Sequence, residues 1–201
     1  MVSGAGRDQT PLPWSVCASF ARVRWCLSHK YDPAAVRLAD RHYNRRSPGT
    51  PQCAAPGANL ILVSDCGRAV WITATPQYVW HAWPGAWLNT LFRSEAAGLA
   101  SELIRDAVAA TRAHFGQPSE FGMITFIDRR KVRPTMVRGA PVWGWSYRKA
   151  GFREVGETRK NKLLVLELLP TDMPAPAPAR PRSMHGAPLF DPPAATGVSQ
   201  V

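Results

Sequence analysis

The sequence predicts a mixed α/β (α+β) domain, a central twisted sheet with helices on both faces. Three observations predict it. Short segments dense in Val, Ile, Leu, Phe and Trp recur at residues 59–64, 68–75 and 121–127, bounded by turn-forming residues. Residues 97–114 place Leu99, Leu103, Ile104, Val108 and Ala110 near helical spacing, with Glu102, Arg105, Asp106 and Arg112 on the other side. The order helix, hairpin, strand, helix, strand, helix, strands is that of a layered sheet-and-helix fold.

The elements follow from local chemistry. Residues 1–30 read as an N-terminal strand and loop segment, with a strand pair expected over 15–27. Asp32-Pro33 reads as an N-cap with proline in the first helical turn, opening a helix from Ala34 to about Tyr43 with Val36, Ala39 and Tyr43 near one face. Ser47-Pro48-Gly49-Thr50-Pro51 stops it. Residues 59–64 and 68–75 flank Asp65-Cys66-Gly67 as a β-hairpin. A Trp-rich loop over 78–87 leads into a strand over 87–93, and Phe121 to Ile127 is a buried-type strand running into Asp128. Ser146 to Phe152 is a short helix closed by Gly151, followed by strands over 152–155 and 162–168. The domain therefore spans 31–170, and 171–201 reads as a Pro/Ala-rich disordered tail.

The chain has 201 residues, 45% of them hydrophobic, enough for one domain with a core. No apolar run approaches the ~20 residues that span a bilayer, and the N-terminus lacks a signal-peptide plan, so a cytoplasmic protein without a membrane partner is expected. Cys17, Cys26, Cys53 and Cys66 show no Cys-x-x-Cys pair and no His at ligand spacing, which argues against a metal site or a disulfide framework. Net charge is +11, and residues 129–162 hold eleven basic residues against two acidic ones. Arg129, Arg130, Lys131, Arg133 and Arg138 lead this stretch, and Arg41, Arg45 and Arg46 form a second cluster. Such fields attract polyanions, with DNA the expected partner and RNA or a nucleotide cofactor the others; an Arg-rich composition alone would also produce them.

Four places carry chemistry. From Leu91 the chain runs through a strand end, Arg93, a glycine-bearing turn and a helix opening. The backbone N–H groups of Ala97, Gly98, Leu99, Ala100 and Ser101 would seat a pyrophosphate there, with Arg93 adding a cation, unless the segment is an ordinary strand-to-helix turn. Asp128, at a strand end, is either a general base or a loop cap. His42 and Tyr43, flanked by Arg41, Arg45 and Arg46, bring a near-neutral base and a stacking ring beside phosphate-binding cations. Tyr147, on a short helix beside a glycine, is either a functional phenol or a half-buried aromatic. Trp80, Trp83 and Trp87 are core or loop anchors or stack on a base, and Trp143 and Trp145 edge the same crevice.

The segments LFRSEAAGLASELIRDAVAA and SYRKAGF, in this order and about forty residues apart, resemble the acyl-CoA-binding half of the GCN5-related N-acetyltransferase (GNAT) superfamily. Arg93, Gly98 and Ala100 approximate its phosphate turn, with one extra residue between Arg and Gly. The early His42-Tyr43 pair, Asp128 and Tyr147 before Ala-Gly-Phe resemble the phage Mom-type DNA-modification proteins, with a longer basic insertion between Asp128 and Tyr147. The resemblance implies an acetyl-CoA or related acyl-CoA donor. It also implies a transferase acting on a DNA base inside an infected bacterium, with His42, Tyr43, Asp128 and Tyr147 as the site. The alternatives are a GNAT acetyltransferase for a protein or small amine, or a basic, non-enzymatic DNA-binding accessory protein.

Overall fold

The computed structural model describes residues 24–75 and 82–182. After β1 (Trp25–Ser28) comes α1 (Pro33–Asp40). Asp32 caps α1 by accepting the N–H groups of Ala34 at 2.8 Å and Ala35 at 3.3 Å. The helix ends three residues earlier than its sequence pattern predicts. It buries Ala35, Leu38 and Ala39, and His42 and Tyr43 fall in the turn beyond it.

The predicted hairpin is β2 (Asn59–Ser64) and β3 (Ala69–Ala74), followed by β4 (Trp87–Ser94), α2 (Ala100–Phe115) and β5 (Met123–Ile127). A small hairpin that the sequence pattern does not announce, β6 (Thr135–Val137) and β7 (Ala140–Val142), precedes α3 (Trp145–Lys149). Then come β8 (Arg153–Glu157), β9 (Leu164–Leu168) and β10 (Arg180–Pro181).

One eight-stranded sheet has the order β10-β1-β2-β3-β4-β5-β9-β8, and β6-β7 stands apart as a sheet of two. All neighbours in the large sheet are antiparallel except β1/β10 and β4/β5. A parallel pair needs a crossover, and α2 is the crossover between β4 and β5. Their register covers only Trp87↔Met123, Leu88↔Ile124 and Asn89↔Thr125, although β4 continues to Ser94 and β5 to Ile127. The sheet forks there.

Two buried clusters hold the layers together. Ala35, Leu38 and Ala39 of α1 pack on Ile61, Val63, Val70 and Ile72. Leu103, Ile104, Ala107 and Val108 of α2 pack with Leu60, Leu62 and Trp71. Strand residues alternate in direction, so the two helices draw on alternate residues of β2. The indole N–H of Trp25 donates to the Leu103 carbonyl at 2.9 Å, tying β1 to α2. No helix among the described residues is long and apolar enough to cross a membrane.

The tail reading needs correction up to residue 182. Met173 is buried in the main core, Arg112 donates to the carbonyls of Met173 (3.3 Å) and Pro174 (3.1 Å), and Ala177 N–H donates to Ala109 O at 3.1 Å. β10 then pairs with β1, and Arg182 pairs with Asp32. A proline-rich chain leaves many carbonyls unbonded, and here α2 supplies donors for them. Residues 183–201, residues 1–23 with most of the proposed early strand pair and Cys17, and Trp80 lie outside the described residues.

Candidate functional site

The fork between β4 and β5 opens into a cavity of about 260 Å³. Thr90, Leu91 and Phe92 form one wall, Phe126 and Ile127 the other, His42 and Tyr43 close it from the α1 side, and Gly144 to Tyr147 close it from α3. Gly144 is required there. Its φ is +66°, and a Cβ would lie 2.5 Å from Ile127 Cδ1 and 2.6 Å from Leu166 Cδ1.

A polar network sits at the apex of the fork. The Tyr147 phenol donates to Asn89 Oδ1 at 2.5 Å. Asn89 Nδ2 donates to the carbonyls of Ile72 (3.0 Å) and Leu91 (3.1 Å), which fixes the amide with its oxygen toward the phenol. The Thr125 hydroxyl donates to Asn89 O at 3.2 Å and lies 3.4 Å from Asn89 Oδ1. Burial pushes the Tyr147 pKa well above the usual phenol value, so the hydroxyl stays protonated and presents a proton rather than an anion. Asn89 and Thr125 escape sequence reasoning because each sits inside an apolar strand. The available signal is a buried-type strand interrupted by an amide.

His42 and Tyr43 reach the cavity with ring centroids 4.4 Å apart. Burial, followed by the neighbouring Arg93 cation, lowers the His42 pKa to about 4, so the ring is neutral at pH 7. Its Nδ1 accepts the Asn44 N–H at 3.2 Å, which leaves the ring proton on Nε2. His42 therefore offers a hydrogen-bond donor rather than the near-neutral base that the sequence suggests. The Tyr43 hydroxyl donates to the Phe126 carbonyl at 3.3 Å, fastening the post-α1 turn to β5 where β5 leaves β4. Burial raises its pKa as well.

Asp128 is buried, and its reading as a general base does not survive its contacts. Arg130 grips both carboxylate oxygens, Nε to Oδ1 at 2.8 Å and Nη2 to Oδ2 at 2.9 Å, while Arg130 N–H adds a third bond at 3.1 Å. The Arg130 hydrogen bonds hold the Asp128 pKa down at about 2, far too low for a base at neutral pH. Asp128 caps the basic loop: the N–H groups of Lys131 and Val132 both return to its carbonyl.

The phosphate corner lies on the same face of the sheet as Tyr147, because Ala97 and Tyr147 pack in one cluster. Ala97 N–H turns back to Ser94 Oγ at 3.4 Å. Gly98, Leu99, Ala100 and Ser101 donate their N–H groups to no acceptor among the described residues, and Leu99 is 64% exposed. These four amides fit an anionic diphosphate at a helix start; the turn does not itself line the fork cavity. Arg93 is not available to assist, since it pairs with Glu95 at 2.8 Å and donates to the Arg41 carbonyl at 2.7 Å.

The cations divide into two groups. Arg41 pairs with Glu95, Arg45 with Asp40, Arg129 with Glu157 and Arg130 with Asp128. Arg46, Lys131, Arg133 and Arg138 are exposed and form no ion pair among the described residues. Trp87 is a buried core residue, Trp83 packs beside Phe126, and Trp143 is tied to the Val132 carbonyl, whereas Trp145 lines the cavity. Comparison with family models, curated proteins and solved structures finds no match to this chain.

Proposed function

We propose that this protein is a GNAT-like transferase that takes an acyl-CoA donor into the β4/β5 fork and modifies nucleic acid, a DNA base being the acceptor. The observation that carries the reading is the fork itself: the parallel β4/β5 pair in the body of the sheet parts after Asn89–Thr125 and opens a cavity with a phenol at its apex. Helices packing on alternate residues of β2 support a sheet covered on both faces, as a GNAT-like layout requires.

Where β4 and β5 part, backbone N–H and C=O groups lose their ladder partners, and an extended amide-bearing chain lying between the strands restores them. The amides of Gly98 to Ser101 take the diphosphate at the α2 N-terminus. Bound acyl-CoA supplies an acyl group activated as a thioester. With acyl-CoA bound, the Tyr147 O–H, otherwise held by Asn89 Oδ1, would turn to hydrogen-bond the departing thiolate, which takes up the proton released by the attacking amine and leaves as the CoA thiol. His42 Nε2–H and the Tyr43 ring orient an acceptor base from the α1 side. Unpaired Arg46, Lys131, Arg133 and Arg138 hold phosphates. By its resemblance to Mom-type proteins, such a modification would shield phage DNA from restriction in the host cytoplasm.

Two measurements test this. Saturating CoA or acetyl-CoA at a hundredfold excess over its dissociation constant adds about 2.7 kcal/mol and raises Tm by about 5–10 °C. DNA from cells expressing the protein yields a nucleoside of altered mass absent from the empty-vector control. Unchanged nucleosides refute the base-modification reading, and an unchanged Tm refutes the donor.

A further inference from the structure

We propose that the β6–β7 hairpin is a wedge that opens duplex DNA beside the cavity; this rests on the nucleic-acid reading above and names how that substrate is engaged. The hairpin forms its own two-stranded sheet, and such a ribbon is marginal alone. Its base is stapled: the Trp143 indole N–H donates to the Val132 carbonyl at 3.0 Å, and the Arg129 guanidinium lies 5.9 Å from a Trp143 ring centre. The ribbon is thus held at a fixed place, with Arg133 and Thr135 at its foot lining the cavity.

Its faces are not those of a structural hairpin. Met136 opposes Pro141 in the register, so both side chains share one face, and both residues are exposed, Met136 at 63%. Pro141 lacks an N–H, which spoils that strand as a template for a third strand and leaves the side-chain face as the useful surface. The tip places Arg138 at φ +50° and Gly139 at φ +80°. Asn commonly fills the first of these turn positions, so a long cation there is conformationally costly, which suggests that its charge is used. No Asp or Glu occurs between Arg129 and Arg153.

An exposed Met-Pro face framed by unpaired Lys131, Arg133 and Arg138 suits a polyanion with apolar surface inside it. Duplex DNA offers phosphates for the cations and a base step into which Met136 inserts. Thr135, the next residue, lines the cavity from the opposite side of this narrow ribbon, so a base displaced at that step passes round the ribbon edge to reach the cavity mouth.

The test uses the full chain and duplexes carrying 2-aminopurine, whose fluorescence rises on unstacking. Met136→Ala changes an exposed side chain, and Arg138→Asn suits the left-handed turn, so both variants fold. The expected results are duplex binding and a fluorescence rise with wild type, and near-wild-type affinity with most of the rise lost for Met136→Ala. Arg138→Asn weakens binding and lowers the salt slope by about one. Altered nucleosides fall at least tenfold with Met136→Ala. Wild-type unstacking and modification by both variants overturn the wedge while leaving the transferase reading intact. A wild-type protein that binds no duplex overturns both.

Discussion

Replacing Asn89 with alanine removes four side-chain hydrogen bonds at once: the Tyr147 phenol and, more weakly, the Thr125 hydroxyl lose Oδ1 as acceptor, and the Leu91 and Ile72 carbonyls lose a donor. Ile72 O keeps the Thr90 hydroxyl at 3.3 Å, so the phenol and Leu91 O carry most of the penalty. At about 1 kcal/mol per bond, with a further 1 kcal/mol or so for a phenol left buried and unpaired, Asn89→Ala costs about 3–4 kcal/mol. Tyr147→Phe removes only one bond and leaves Asn89 Oδ1 within 3.4 Å of the Thr125 hydroxyl, so it costs about 1 kcal/mol. In the double variant no phenol remains to be orphaned, and its cost falls short of the sum by about 1–2 kcal/mol. Urea unfolding of the four proteins at pH 7 measures the coupling. Additivity within about 0.5 kcal/mol refutes the network and with it the fixed aim of the phenol. The same Tyr147→Phe protein separates roles: the CoA-induced rise in Tm persists while turnover falls.

His42 makes the fold sensitive to acid. Its native pKa of about 4 lies below the ordinary 6.5, so between those values the unfolded chain binds a proton that the native state refuses, and stability falls as pH falls. The ceiling is about 3 kcal/mol; His42→Gln, which cannot titrate, therefore loses less stability between pH 7 and pH 4.5 than wild type in paired urea titrations, and parallel losses refute the assignment. Gly144→Ala forces a Cβ into Ile127 and Leu166 at a positive φ and costs about 2–3 kcal/mol, or roughly 5–10 °C in Tm, read by thermal unfolding. A loss under about 1 kcal/mol shows that the cavity floor yields more easily than its contacts imply.

The layered part of the fold is legible because it depends on periodicity. The β2–β3 hairpin, α2 and β5 each bury one recurring set of apolar residues, and their patterns are dense enough to read. The β6–β7 ribbon has only three residues per strand and buries nothing large, so no pattern marks it. β10 and the ordered tail depend on distant partners, Asp32, Ala109 and Arg112, which no local composition reveals. At the site, Tyr43, Tyr147 and His42, singled out by residue type, line one cavity. Residue type misleads on role, because role depends on what each group already bonds. Asp128 looks like a base until Arg130, two residues on, occupies both its oxygens. Asn89 is hidden for the converse reason: an amide in an apolar strand reads as an interruption, and its importance comes from β5 and α3 meeting it.

The same distinction governs the charge. Counting residues 129–162 gives a strongly basic stretch, yet contacts cancel part of it, since Arg129, Arg130, Arg148 and Arg153 pair with Glu157, Asp128, Glu154 and Asp172. These cations brace loops and strands and contribute little field at a distance. Other cations make no ion pair among the described residues: Lys149, Arg159, Lys160 and Lys162 lie at the end of α3 and in the β8–β9 turn, while Lys131, Arg133 and Arg138 stand on the ribbon side of the cavity and Arg46 follows the turn that carries His42 and Tyr43. Arg133 lines the cavity itself, so a polyanion that reaches the fork meets an unpaired cation there. That position, more than the net charge of +11, is what supports the proposed polyanion partner.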